Sequence, residues 1–192
     1  ALHLACVELE AGRLDAAIAG GVSMAQSLYT QVGFTQLQAL SPSGICAPFG
    51  AHADGLVVGE GAGLVVLKRL EDAQRDGDTI HAVIRGIGVS NDVGGSLLSP
   101  DSEGQLRAMR AAYAQAGWSP ADVQLVECHG TGTPRGDGVE LKSLSTMWEG
   151  ASSRAVIGSV KSNVGHLLTA AGMAGLTKVL QAMAHGELPP SA

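Results

Sequence analysis

Val126-Glu127-Cys128-His129-Gly130-Thr131-Gly132-Thr133-Pro134 joins a short apolar run to a histidine and then breaks into glycines and threonines. A strand that delivers a side chain to a cleft and then turns has this form: apolar residues for the buried sheet, small ones where the chain bends or a ligand approaches. The form recurs. Ala155 to Val160 is a second apolar run, followed by Lys161-Ser162-Asn163-Val164-Gly165-His166 and then an apolar helix. Two strand ends, each leading to a histidine in a glycine-bearing break, imply one site assembled from two arms.

Outward from these arms the pattern alternates. Ile80 to Val89 reads as a strand, with Ile80, Ala82 and Ile84 on one face. Ser102 and Gln105 form a capping box opening a helix that carries Leu106, Met109, Tyr113 and Ala116 and is closed by Gly117. Ser119-Pro120 marks a turn, Val123 to Cys128 a strand, and Asp137 to Trp148 a helix, with Asp137 as its cap. Leu167 to Ala184, apolar nearly all round, predicts a helix buried on most sides, with Gly172 and Gly175 allowing close neighbours. Strands alternating with helices predict an α/β fold, a parallel or mixed sheet whose sites lie beyond the carboxyl ends of its strands. His129 and His166 both fall there.

The first part of the chain is less regular. Residues 1–12 read as the end of a helix, with Leu2, Cys6 and Leu9 on one face and Gly12 at its stop. Ala16 to Ala19 predicts a short buried strand, Ser23 to Gly50 an irregular stretch, and Leu64 to Lys68 a second strand. Gly59-Glu60-Gly61-Ala62-Gly63 precedes that strand. A dinucleotide-binding glycine loop follows a strand and opens a helix, so these glycines read as close-packed backbone and not as a nucleotide site. Residues 71–78 are predicted to be a charged surface turn dividing two subdomains, 1–78 and 79–192.

Composition narrows the class. The chain of 192 residues is 45% hydrophobic and 16% charged, with 27 glycines and 3% aromatics, which suits closely packed layers. A net charge of −6 and the lack of a basic run argue against a nucleic-acid partner. No apolar run is long enough to span a bilayer. Three cysteines without CxxC spacing fit a reduced, cytoplasmic setting. Both ends fall inside structural patterns, so the chain is expected to be a piece of a longer polypeptide.

The chemistry follows from the two histidines. A neutral imidazole donates one N–H, and two converging on one oxygen would stabilise negative charge developing there. A lone histidine at a strand end is more often structural; two in matching breaks favour function. The Thr131 and Thr133 hydroxyls could meet a ligand arm that approaches over the glycines. Lys161 reads either as a surface lysine or as a buried ammonium paired with a carboxylate such as Glu140. No cysteine reads as a nucleophile. Cys128 adjoins His129 but points to the opposite face of the strand, Cys6 lies on an apolar helix face, and Cys46 has no evident base.

His129-Gly130-Thr131-Gly132-Thr133, Lys161-Ser162-Asn163-Val164-Gly165-His166, Gly59-Glu60-Gly61-Ala62-Gly63 and Gly136-Asp137 together resemble the β-ketoacyl synthases, in particular the ketosynthase domains of polyketide and related fatty-acid synthases. The resemblance runs from Ala1 to Ala192. It implies a thiolase-like α-β-α-β-α layered fold, here the end of the N-terminal half and most of the C-terminal half. It implies an acyltransferase that extends an acyl chain by decarboxylative Claisen condensation. By the same resemblance, His129 and His166 stabilise the enolate left by a malonyl-type extender. Lys161 supports the second histidine, with Glu140 its partner and Asp137 also supporting, and Thr131 and Thr133 contact the pantetheine arm. The nucleophilic cysteine is expected in an elbow just upstream of Ala1.

Other implications concern partners. No metal and no permanently bound cofactor are expected; the phosphopantetheine arm of an acyl carrier protein would carry the substrates. Neighbouring synthase domains and a homodimer of the intact domain are the expected partners. Gly138 stands where many relatives have proline, and Cys128 where small residues are common. A competing expectation is a non-condensing relative, either a decarboxylase or a chain-length or structural partner, although such relatives commonly have eroded motifs.

Overall fold

The computed structural model describes residues 1–24, 27–94 and 100–191. α1 (Leu2–Glu10) stops at Gly12, whose φ of +68° lets the Arg13 N–H close on the Glu8 carbonyl at 3.0 Å. β1 (Ala16–Ser23) pairs antiparallel with β2 (Gly61–Lys68), Ala16 opposite Lys68 and Ser23 opposite Gly61. Both strands outrun the apolar stretches that predicted them. Gly61 and Gly63 belong to β2 itself. A Cβ on Gly63 would lie 2.8 Å from the Met173 Cβ, and one on Gly61 2.6 Å from the Leu167 side chain. The glycine cluster is therefore close-packed backbone, laid against the chain that follows His166.

Two stretches expected to be irregular are helical. Ser23 to Gly50 contains α2 (Leu28–Gln36), capped by Ser27, whose Oγ accepts the Thr30 N–H at 3.3 Å. Leu28 and Tyr29 are 80% and 89% exposed and no residue of α2 is fully buried, so the helix has no apolar stripe to betray it. Ala25 and Gln26 lie outside the described residues. The charged stretch 71–78 is mostly α3 (Leu70–Asp76), ended by Gly77 at φ +72°. Arg69 and Arg75 both pair with Asp72 at helical spacing, and Lys68, at the end of β2, reaches Asp76 and Asp78 at 2.5 and 2.7 Å.

In the second part, α4 (Ser102–Ala116) is capped by Asp101, whose carboxylate accepts the Glu103 N–H at 3.1 Å. The Ser102–Gln105 box is not formed; the Ser102 hydroxyl instead accepts from Ser143 at 2.8 Å. Ile80 to Val89 forms no helix and joins no ladder with a described strand. It lies across α4: a Cβ on Gly86 would meet the Ala112 carbonyl at 2.2 Å, and one on Gly88 the Ala108 carbonyl at 1.8 Å. The turn at Pro120–Asp122 is a single 3₁₀ turn, tied by Ser119 N–H and Oγ to the Asp122 carboxylate at 2.7 and 2.8 Å.

β3 (Leu125–Glu127), α5 (Pro134–Met147) and β4 (Val156–Gly158) form a βαβ unit, with the strands parallel and Leu125 opposite Val156. α5 starts at Pro134, the first-turn position that suits proline, and not at Asp137. Cys128, Leu144 and Trp148 pack into one core, with Tyr113 edge-on to Trp148 at 6.0 Å. α6 (Lys161–Val164), a 3₁₀ turn at Leu168–Ala170 and α7 (Ala171–His185) complete the chain. α7 buries Met173 and Gly175, but Met183 near its end is 58% exposed, so burial on most sides holds only for its first half among the described residues.

Candidate active site

The two arms meet. His129 follows β3, His166 follows α6, and their rings stand edge to face with centroids 5.4 Å apart. The His166 backbone is held on both sides by residues 57–59: its N–H donates to the Val57 carbonyl at 2.7 Å, and its carbonyl accepts the Gly59 N–H at 3.0 Å. Gly165 makes this approach possible. It has φ +73°, and a Cβ there would lie 2.9 Å from the Val57 carbonyl oxygen. The His166 ring is fixed as well, because Nδ1 accepts the Leu168 N–H at 3.0 Å. In the neutral ring the proton then sits on Nε2, the atom left to donate.

The His129 arm is gripped by two carboxylates on the first turns of α5. Glu140 accepts the N–H groups of His129 and Gly130 at 2.7 and 2.8 Å. Asp137 is buried and accepts those of Thr131 and Gly132 at 3.1 and 3.3 Å, and that of Phe49 at 2.8 Å. Asp137 is therefore not the cap of α5. It lies in the first turn, and its carboxylate folds the histidine loop back over the helix start, where negative charge is favoured. The Phe49 contact also steadies a non-glycine residue at φ +61°.

Lys161 is buried. Its ammonium donates to the His129 carbonyl at 2.5 Å. Glu140 acts on it through the field and forms no direct ion pair, its oxygens being taken by backbone N–H groups. Lys161 thus ties the two arms together. Burial lowers its pKa, and Glu140 and Glu127 oppose that. Burial is also the main influence on the histidines, with Lys161 adding to it: His129 is pulled below its ordinary value and His166 down to about 4. Both rings are neutral near pH 7. Burial pushes the Glu140 carboxyl up, and its two backbone donors offset part of this.

Thr131 and Thr133 share a hydrogen bond at 2.9 Å, with Thr131 buried. None of the cysteines is activated. Burial pushes Cys128 up to about 12, with Glu140 adding to it, and its side chain packs with Leu144 and Trp148, away from His129. Burial likewise raises Cys46 and Cys6. Among the described residues no group of histidine, cysteine and carboxylate side chains is placed to hold a metal ion, and no helix is long and apolar enough to cross a membrane.

Several contributors are not evident from the sequence. Ser159, with no exposed surface, donates to the Gly130 carbonyl at 2.8 Å. Glu127 accepts the Val160 N–H at 2.5 Å and faces Lys178 at 3.0 Å. A glutamate inside an otherwise apolar strand is the available signal for this last pair.

Two imidazoles past the ends of two parallel strands, with a buried lysine bonded to the His129 carbonyl, are the site's frame, and the fold is the thiolase-like α/β fold of the solved ketosynthases it resembles. The β-ketoacyl synthase N-terminal domain matches residues 1–73, and the β-ketoacyl synthase C-terminal domain residues 81–192. The chain belongs to the β-ketoacyl synthase family. It is 48% identical over 195 residues to a phenolphthiocerol/phthiocerol polyketide synthase of Mycobacterium tuberculosis, covering 100% of this chain and 10% of that protein. It is 40% identical, with a TM-score of 0.95, to the ketosynthase from module 6 of the bacillaene synthase of Bacillus subtilis 168, covering 100% of this chain and 35% of that one. Against the PfaC keto synthase-chain length factor the values are 46% and 0.95, covering 99% of this chain and 21% of that one. The chain thus spans a minor part of each relative.

Proposed function

We propose that this chain carries the decarboxylating side of a ketosynthase site in a polyketide-type synthase, divided near residue 78 between the two halves of the domain. The observation that carries this reading is the approach of the His129 and His166 rings to 5.4 Å, with His166 Nδ1 already occupied. A malonyl-type thioester, brought on the phosphopantetheine arm of an acyl carrier protein, lies with its thioester oxygen between the two N–H donors. The C–C bond to the carboxylate breaks, CO₂ leaves, and the electron pair becomes an enolate on that oxygen. Two neutral donors held in place beforehand stabilise it without reorganising. The enolate carbon then attacks an acyl thioester on a cysteine outside this chain, forming the new C–C bond and expelling that thiolate.

Lys161 and Glu140 hold the arms in register, and Asp137 sets the loop. The Thr131–Thr133 pair offers its hydroxyls to the pantetheine arm. The reaction needs no resident cofactor, and the domain works in the cytoplasm beside its neighbours in the synthase, as a homodimer.

The test uses the intact ketosynthase domain containing this chain. His129→Ala and His166→Ala should each lower decarboxylation of malonyl carrier thioester about 10²-fold, while acyl loading of the cysteine continues. Decarboxylation at the parent rate in both variants would falsify the assignment. A non-condensing chain-length partner is the alternative; the intact pairing of the His129 and His166 rings beside the buried Lys161 weighs against it.

A further inference from the structure

We propose that Glu127 and Lys178 form a positioning joint that sets Lys161 against His129. Glu127 is the last residue of β3, opposite Gly158 of β4, and two residues ahead of His129. One of its carboxylate oxygens accepts the N–H of Val160, the residue immediately before Lys161. Its other oxygen faces the Lys178 ammonium at 3.0 Å, off the hydrogen-bond direction, so that pairing is Coulombic. The two side chains are 9% and 8% exposed.

The surroundings are shaped for this pair. Lys178 reaches Glu127 from α7 by crossing Gly158, where a Cβ would come within 3.2 Å of the ammonium. α7 comes close enough because of Gly175, where a Cβ would lie 3.0 Å from the Glu127 Cγ. The result is a short closed circuit. Glu127 holds Val160, Lys161 holds the His129 carbonyl, and the two backbone segments between them are one and two peptide bonds long. Releasing the Val160 N–H frees the bend from which Lys161 reaches across. A small misplacement of a group that aligns the reacting centre has a large effect on rate.

The role of the charges differs from that of the acceptor. A lone buried charge is strongly destabilising, whereas replacing both partners with neutral groups of similar shape is often tolerated. Lys178 therefore serves as the counter-charge that lets Glu127 be buried, and the Glu127 oxygen on Val160 does the positioning.

The inference rests on the ketosynthase reading, and two neutral double variants of the intact domain test it. E127Q/K178M keeps an acceptor for Val160; E127M/K178M has the same shape and no acceptor. Per acylatable cysteine, E127Q/K178M should decarboxylate malonyl carrier thioester within about threefold of the parent. E127M/K178M should fall at least about tenfold in kcat, with KM and cysteine loading unchanged. Amide hydrogen exchange at Val160 and Lys161 should quicken in E127M/K178M alone. Equal kcat in the two variants overturns the joint. A parent domain that loads acyl groups but does not decarboxylate overturns the ketosynthase reading instead; exchange then decides the joint, and equal protection of Val160 in both variants refutes it.

Discussion

The His166 ring is keyed to Leu168. Its Nδ1 accepts the Leu168 N–H at 3.0 Å, and a protonated imidazole has no lone pair at that atom to offer. Burial, then Lys161 and His129, bring the His166 pKa down to about 4, so ring tautomer and neutrality are set by the same surroundings.

A pH window follows. An unfolded histidine takes up its proton near its ordinary value of about 6.5, and folded His166 only near 4. Between those values the unfolded chain binds the extra proton, so stability is full above the window and is lost as pH falls through it. His129 is lowered too and acts in the same sense. Decarboxylation by the folded domain should stay level from about pH 8 into that window and decline only as pH falls toward the lowered folded values, that of His166 being about 4. Thermal melts and rates across this range check it; a rate that rises below pH 6 would contradict neutral donors.

Asp137 is the keystone of the histidine loop. Asp137→Ala removes the acceptor for three backbone N–H groups, those of Phe49, Thr131 and Gly132. The expected destabilisation is about 2–4 kcal/mol. Denaturant unfolding of the intact domain measures it, and a loss below about 0.5 kcal/mol would mean the loop holds its shape without this carboxylate.

Gly165→Ala should spare most secondary structure yet disable decarboxylation. The new methyl enters the space between His166 and residues 57–59, 2.9 Å from the Val57 carbonyl, at a backbone φ of +73°. A drop of at least about tenfold in kcat with unchanged circular dichroism is expected, since the histidine and not the sheet is displaced.

Cys128 should resist alkylation in the folded protein. It is 6% exposed, and burial holds its thiol up to about 12. Peptide mapping after brief iodoacetamide treatment should find Cys128 unmodified, and Cys128→Ser should leave catalysis within about twofold. Rapid modification of Cys128 would contradict its reading as an inert core thiol.

Much of the site is legible in the chain, because its histidines announce themselves where apolar runs break into glycine. The partners of those histidines are not. Asp137 in the sequence resembles a helix cap, and only the fold-back of the histidine loop over the start of α5 brings Thr131, Gly132 and Phe49 to it. Glu140 reads in the sequence as the partner of a lysine, but its oxygens are spent on backbone N–H groups. Local pattern also misjudges helices that bury little: α2 has no apolar stripe, and the charges of α3 look like a turn until paired at helical spacing. Ile80 to Val89 alternates like a strand, yet its glycines seat it on α4 with no ladder among the described strands. Helix and strand types are legible where burial is strong, and side-chain roles only where they are local.

The bed beneath both histidine arms belongs to residues 46–59. Val57 and Gly59 hold His166, Phe49 meets Asp137, the Cys46 thiol donates to the Thr131 carbonyl at 3.5 Å, and the Gly55 N–H donates to Gly132 at 3.0 Å. For anyone splicing synthases, a chimera joined between residues 73 and 81 inherits its histidines from one parent and their mould from the other. The safer unit of exchange is the pair, residues 46–59 travelling with 126–168.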